Sequence, residues 1–303
     1  MEKSFKPPND RDLQVALGAL GGSPFLLRKA ITSFTVAERK RVPGPGDWLA
    51  EQYEAGQTFD QYKIYANRIE GKRNKLYIQP LGTGLSSDLL QTLASLCLVF
   101  FPGLQFPVRL PRRLSSLEAT PRETPKGPQY KGNSLLSQLR SLTSLNRYGV
   151  IGVTMADLYD NEEGNFVYGL ANVINKTGVF SFARYHPQFY GIDASEEQAR
   201  EVVLLRAAKV MLHEIGHMLG MLHCIYYECL MNGSNNIEET DATPLHLCPV
   251  CLRKLHFCLD FSPIDWYSNL SQFYQSLGGP FLAEAEWHQS RANTVVASLP
   301  KTK

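Results

Sequence analysis

His213-Glu214-Ile215-Gly216-His217-Met218-Leu219-Gly220-Met221-Leu222-His223 is the stretch that decides the fold. Four residues of α-helix turn the chain by about 400°, so His213 and His217 leave one face, one turn apart. Two imidazoles so related can share one metal. Glu214 lies about 100° round the helix from His213, which aims its carboxylate at a water on the metal rather than at the metal itself. Gly220 lets the chain leave the helix through a left-handed turn, because it has no Cβ to clash. His223 then swings back as a third ligand. Three neutral imidazoles leave one tetrahedral position open, the arrangement of a catalytic zinc. The spacing H-E-x-x-H-x-x-G-x-x-H therefore specifies a metal, a base and a hydrolytic reaction together.

The flanking residues agree. Ser195 and Gln198 form a capping box at the start of the helix. Val202–Leu205, Ala207, Ala208, Val210, Met211 and Leu212 make that helix apolar on most sides, hence central and buried. Histidines and a glutamate on such a helix need a compensating partner, and a metal supplies one. Cys224 and Cys229 follow, then Cys248-Pro249-Val250-Cys251. Two close cysteine pairs separated by a loop predict a structural four-cysteine zinc site, with a pair of disulfides as the alternative. Cys97 reads as a core residue and Cys258 as a buried thiol. Cys258, His246 or His256 could stand in for one of the four. His223 and Cys224 are neighbours, so the second metal would steady the loop that delivers the first metal's third ligand.

The run from His213 to Cys224, with Cys229-Leu230-Met231 and Cys248-Pro249-Val250-Cys251, resembles the archaemetzincins, a family of the metzincin zinc proteases. Tyr77-Ile78-Gln79, Gly152-Val153-Thr154-Met155, Asp157-Leu158-Tyr159, Phe180–Tyr185, Met231–Asn235 and Leu247-Cys248-Pro249 extend the likeness over roughly residues 70 to 260. The resemblance implies an α+β fold of metzincin type. It has a twisted mixed β-sheet, a central active-site helix, a methionine turn and a four-cysteine zinc site. It implies two zinc ions (Zn2+) per chain, a catalytic one on His213, His217 and His223 and a structural one on Cys224, Cys229, Cys248 and Cys251. Glu214 is then the general base, and Met231 the hydrophobic floor beneath the first metal. In metzincins an edge strand pairs with extended substrate, so Gly178–Arg184 is the candidate here, with Gly178, Val179, Phe180 and Ser181 contacting peptide. A fully paired sheet strand is the other reading of that segment.

Composition narrows the function classes. The 303 residues are 44% hydrophobic and 20% charged, ordinary for a globular protein. A net charge of +2 is too small to argue for nucleic acid or an anionic membrane as partner, and neither is expected. No Lys or Arg lies between Cys224 and Cys251, which weakens a nucleic-acid role for the cysteine cluster. Residues 1–8 lack the apolar core of a secretory signal. The apolar stretch near Leu89–Phe101 is interrupted by Gln91, Thr92 and Ser95 and falls short of a membrane span. The expected setting is intracellular, cytoplasmic and nuclear, with cysteines as metal thiolates or thiols. The oligomeric state is open.

Three segments are expected: a helical N-terminal extension over 1–70, a catalytic domain over 71–262, and C-terminal helices with a tail over 263–303. Within the second, Lys75–Pro80, Leu104–Leu110, Tyr148–Ala156, Phe166–Ala171 and Gly178–Tyr185 read as strands, and Ser86–Phe100 and Leu135–Leu145 as helices. Residues 111–133, with four prolines, read as a solvated surface loop. Ser262-Pro263-Ile264-Asp265 starts a helix, Phe281–Arg291 forms another, and the chain frays from Ala292. The function expected is a zinc metallopeptidase acting on peptides, an aminopeptidase on short peptides being one form of it. The alternative is a catalytically weak, zinc-stabilised interaction protein, against which an intact Glu214 argues.

Overall fold

In the computed structural model, residues 5–34, 38–66, 68, 69, 71, 73–141, 147–161 and 166–300 are described. The chain runs through α1 (Asp10–Leu17), α2 (Phe25–Thr32), α3 (Trp48–Glu51), α4 (Phe59–Tyr65), β1 (Leu76–Leu81) and α5 (Ser87–Phe100). It continues through β2 (Pro121–Arg122), β3 (Gln129–Lys131), α6 (Gly132–Ser141), β4 (Gly149–Thr154), β5 (Asp157–Tyr159), β6 (Gly169–Asn172), β7 (Thr177–Ser181) and α7 (Glu196–Met218). It ends with α8 (Ile237–Ala242), α9 (Pro249–Leu259), α10 (Pro263–Leu277) and α11 (Leu282–Ala297). Two compact units result: residues 69–218, and residues 1–68 together with 219–303. Among the described residues no helix is long and apolar enough to cross a membrane.

The 69–218 unit is built on a four-stranded sheet in the order β1-β4-β7-β6. The first three strands are parallel and β6 is antiparallel, so the sheet is mixed. Every residue of β4 is buried, as a strand with partners on both edges and helices on both faces requires. Leu135 and Leu139 of α6 cover one face, packing with Leu81, Val150, Leu158 and Val179. On the other face α7 lies so close that a Cβ on Gly178 would stand 2.9 Å from Met218 Cε. Ser86 starts α5 by accepting the Leu89 N–H at 3.2 Å. A smaller sheet, β2-β3-β5, takes strands from what reads in sequence as the 111–133 surface loop.

Several boundaries differ from expectation. Leu104–Leu110 forms no strand. It runs beside β1 through isolated parallel bridges at Gln105, Val108 and Arg112, because Pro107 and Pro111 have no N–H to donate to a ladder. The edge strand expected at Gly178–Arg184 is also corrected. β7 bonds to β4 on one side and β6 on the other, so Gly178, Val179, Phe180 and Ser181 are buried with both ladders filled. β6 ends the sheet instead. The strand stops at Ser181, and Ala183–Tyr185 turns as a 3-10 helix. Residues 142–145 of the expected Leu135–Leu145 helix lie outside the described residues. The last helix runs to Ala297 where fraying from Ala292 is expected.

In the second unit α1, α2 and α4 pack on α9, and α10 pairs with α11. Trp266, Tyr267 and Tyr274 are buried there. Two arginines tie the N-terminal helices down. Arg253 of α9 donates to the carbonyls of Leu17 and Ala19 (2.6 Å to Ala19). Arg291 of α11 donates to the carbonyls of Ala30 (2.7 Å) and Ser33 (2.9 Å). Each guanidinium thus meets orphan carbonyls at a helix C-terminus, where the helix dipole favours a cation.

Candidate metal centres

The active-site helix begins as the sequence indicates. Ser195 Oγ accepts the Gln198 N–H at 3.2 Å, and Gln198 Oε1 accepts the Ser195 N–H at 3.0 Å. Twenty-three residues later α7 ends, after presenting His213 and His217 from one face. Their Nε2 atoms are 2.9 Å apart. Two nitrogens each about 2.0 Å from one tetrahedral zinc stand about 3.3 Å apart, so this pair lies close to that geometry. Along the stretch 213–223, His213, His217 and His223 each offer a ring nitrogen, and these lie within 4.8 Å of one another. Burial pushes the Glu214 carboxyl above its usual range, and the charge of His217 pulls it back in part. Tyr185 brings a buried hydroxyl with no hydrogen-bond partner among the described residues, and its pKa is raised by burial first and then by neighbours that include Glu214.

Gly220 has φ +93°, a left-handed conformation that a side chain would strain. The turn it makes is bound on all sides within the second unit. Tyr62 Oη donates to the Leu219 carbonyl at 3.0 Å. Gln57 Nε2 donates to the Gly220 carbonyl at 3.1 Å, and Gln57 Oε1 accepts the Leu222 N–H at 3.1 Å. Lys254 Nζ, fully buried, donates to that same Oε1 at 3.0 Å. Next in the chain, His223 Nδ1 stands 2.7 Å from Glu54 Oε1, which also accepts the Trp48 Nε1–H at 2.9 Å. Trp48 packs edge-on against His223, centroids 5.2 Å apart. None of Trp48, Glu54, Gln57, Tyr62 or Lys254 is singled out by sequence reading. Their only signal is polarity in otherwise plain segments.

Cys224, Cys229, Cys248 and Cys251 are all buried, and their sulfurs lie within 4.8 Å of one another. Cys224 Sγ and Cys248 Sγ are 3.6 Å apart. A disulfide would hold them at about 2.05 Å, whereas two thiolates on one tetrahedral zinc stand about 3.8 Å apart. None of the six cysteines is in a disulfide. The sulfurs also receive backbone donors: Cys248 N–H points at Cys229 Sγ (3.3 Å) and Cys251 N–H at Cys248 Sγ (3.4 Å). Cys248 caps the N-terminus of α9, where the helix dipole favours a thiolate. Burial opposes charge on Cys224, yet sulfur hydrogen bonds from Cys229, Cys248 and Cys251 hold its pKa well below the ordinary thiol value. Burial, joined by Cys224, Cys229 and Cys251, raises Cys248. A divalent cation at the centre of the group would let the sulfurs ionise together. The loop between the pairs is closed by Cys224 N–H to the Met231 carbonyl (2.7 Å). Met231 is fully buried. Neither Cys97 nor Cys258 is a member of the four-sulfur group, and His246 pairs with Glu284 at 3.0 Å.

The model of peptidase family M54 matches residues 122–257. An archaemetzincin-2 from Macaca fascicularis is 32% identical over 268 residues, 78% of this chain and 74% of its own. The human archaemetzincin-2 is 31% identical over 289 residues, 85% and 79% of the two chains. This chain belongs to the archaemetzincin family. It is a zinc metallopeptidase by that membership. The structure of an archaemetzincin from Methanopyrus kandleri shares its fold, with a TM-score of 0.50 at 24% identity over 64% of this chain and 99% of that one. The mixed α+β architecture and the four-cysteine cluster are those expected of an archaemetzincin. Both the cysteine group and the histidine group suit zinc in their donor atoms. Trp48 and Glu54 lie outside the stretch that the family model matches.

Proposed function

We propose that this archaemetzincin hydrolyses peptide bonds with one zinc held by His213, His217 and His223 and with Glu214 as general base. Cys224, Cys229, Cys248 and Cys251 hold a second, structural zinc, making two per chain. The closeness of three imidazole nitrogens beside a half-buried glutamate carries this reading. When bound, zinc polarises the scissile carbonyl and lowers the pKa of a ligated water to about 7. Glu214 accepts a proton from the attacking water and returns it to the departing amine. Burial that raises its pKa suits a group that must carry a proton between two partners. Cys224, next in chain to His223, lets the structural zinc stiffen the segment that bears the third ligand. On this reading residues 71–262 form the catalytic domain, braced by residues 1–70 and by the helices of 263–303. Short peptides trimmed from the amino terminus are the substrates to test first. The setting proposed is cytoplasmic and nuclear, a reducing one that keeps cysteines available as metal thiolates.

The test is metal analysis joined to peptide-library profiling by mass spectrometry. Wild type should carry two zinc ions and cleave library peptides, and Glu214→Ala should keep both ions and lose cleavage. Full activity in Glu214→Ala would remove the base from the scheme. Two ions with no cleavage of any peptide would leave a zinc-stabilised interaction protein.

A further inference from the structure

Trp48 Nε1 is a donor only, and its partner is Glu54 Oε1 at 2.9 Å. The same oxygen stands 2.7 Å from His223 Nδ1. An oxygen that already accepts an indole N–H, on a carboxylate that has only lone pairs to offer, meets a second ring nitrogen as an acceptor again. His223 therefore carries its hydrogen on Nδ1 and keeps the lone pair on Nε2. The side chains of His223 and Glu54 are 21% and 23% exposed, so the bond forms in a partly desolvated place where charge assistance counts.

We propose that Glu54 is a positioning residue for the reaction: it fixes the tautomer and aim of His223 so that Nε2 faces the catalytic metal. This rests on the zinc site proposed above. A carboxylate behind a ligating imidazole orients the ring and raises its basicity. Glu54 is itself held in place. The Trp48 backbone N–H is received by both Glu239 carboxylate oxygens (3.1 and 3.0 Å), and Glu239 also accepts the Asn235 backbone N–H at 2.8 Å. Gly233 lets the indole lie flat against the chain, since a Cβ there would stand 2.6 Å from Trp48 Cδ1. A relay from Glu239 through Trp48 and Glu54 to His223 thus ties the segment 48–54 to the loop after Met231. The N-terminal extension, which reads in sequence as a brace with no chemistry, supplies the outer shell of the third ligand.

The experiment uses the full chain loaded with zinc, and separately with Co(II) as a spectroscopic probe. Glu54→Ala, Glu54→Gln, Gly233→Ala and His213→Ala are compared by metal competition against a chromophoric chelator. Glu54→Ala should weaken one of the two ions by about 10–100-fold and leave the other untouched. Glu54→Gln keeps the acceptor oxygen without its charge and should fall between that variant and wild type. Gly233→Ala, which displaces Trp48 without touching Glu54, should reproduce part of the loss. The Co(II) d–d bands of the histidine site should shift in Glu54→Ala, while those of the sulfur site stay. Wild-type affinity in Glu54→Ala overturns the proposal, as does equal weakening of both ions, the mark of a merely structural contact. His213→Ala isolates the underlying assumption: if it retains both ions, the zinc site itself is wrong, whatever Glu54 does.

Discussion

Asn232→Ala puts the loop between the two centres to a quantitative test. The Asn232 side chain is buried, 5% exposed. Its Oδ1 accepts the Cys229 N–H at 3.0 Å, and its Nδ2 donates to the carbonyls of Cys224 (2.7 Å) and Tyr227 (2.9 Å). Truncation removes these three buried hydrogen bonds, each with a net worth of about 1 kcal/mol, and leaves a buried N–H unmet at about 1–3 kcal/mol more. The expected loss is about 4–6 kcal/mol, a large part of a stability of about 5–15 kcal/mol. Urea unfolding of the zinc-loaded protein measures it, and the rate of zinc transfer to a chelator reports whether the cysteine loop has loosened. Asn232→Asp sharpens the result. It keeps Oδ1 for Cys229 but sets a carboxylate oxygen against two carbonyls, a repulsion that Lys40, 3.3 Å from Oδ1, offsets in part. Both variants should unfold earlier and surrender zinc faster. A change under about 0.5 kcal/mol in Asn232→Ala with wild-type zinc release would refute the reasoning. The backbone bond from Cys224 to Met231 would then close the loop unaided.

Two further outcomes follow from buried charge. Asp157 and Arg184 form a two-pronged ion pair (2.8 and 2.7 Å), and Gln129 Nε2 adds a third bond to Asp157 at 2.6 Å. Removing either partner should cost about 3–5 kcal/mol, and the double variant clearly less than the sum of the singles; additive losses in a double-mutant cycle would contradict a coupled pair. His288 is fully enclosed, and burial lowers its pKa from 6.5 to about 4. The unfolded chain binds a proton as pH falls through 6.5 while the native histidine stays neutral, so stability is whole above pH 6.5 and declines between 6.5 and 4, by about 3 kcal/mol in all. Stability–pH curves for wild type and His288→Gln should diverge across that window, and parallel curves would show that the native ring protonates as readily as the unfolded one.

Local chemistry was the legible part. The capping box at Ser195, the N-cap at Ser86, the buried run of β4, and the histidine and cysteine spacings are all set by residues within one turn or one loop of each other. That is why α7, α5 and both ligand groups lie where the periodicity puts them. Less legible was the fate of apolar segments that suit more than one neighbour. Leu104–Leu110 has strand composition, yet its prolines leave only scattered bridges. Gly178–Ser181 has the look of any buried strand, and nothing within it tells an edge from an interior position.

The candidate ligands and their order along the chain came from the sequence alone, because a helix repeats every 3.6 residues and places His213 beside His217 whatever surrounds them. The tertiary structure decided what stands behind those ligands. Glu54 reaches His223 across 169 positions, Gln57 reaches Gly220 across 163, and Arg291 reaches Ala30 across 261. A hydrogen bond carries no trace of such a partner in either residue's own neighbourhood, since it needs only a few ångströms in space and is indifferent to distance along the chain.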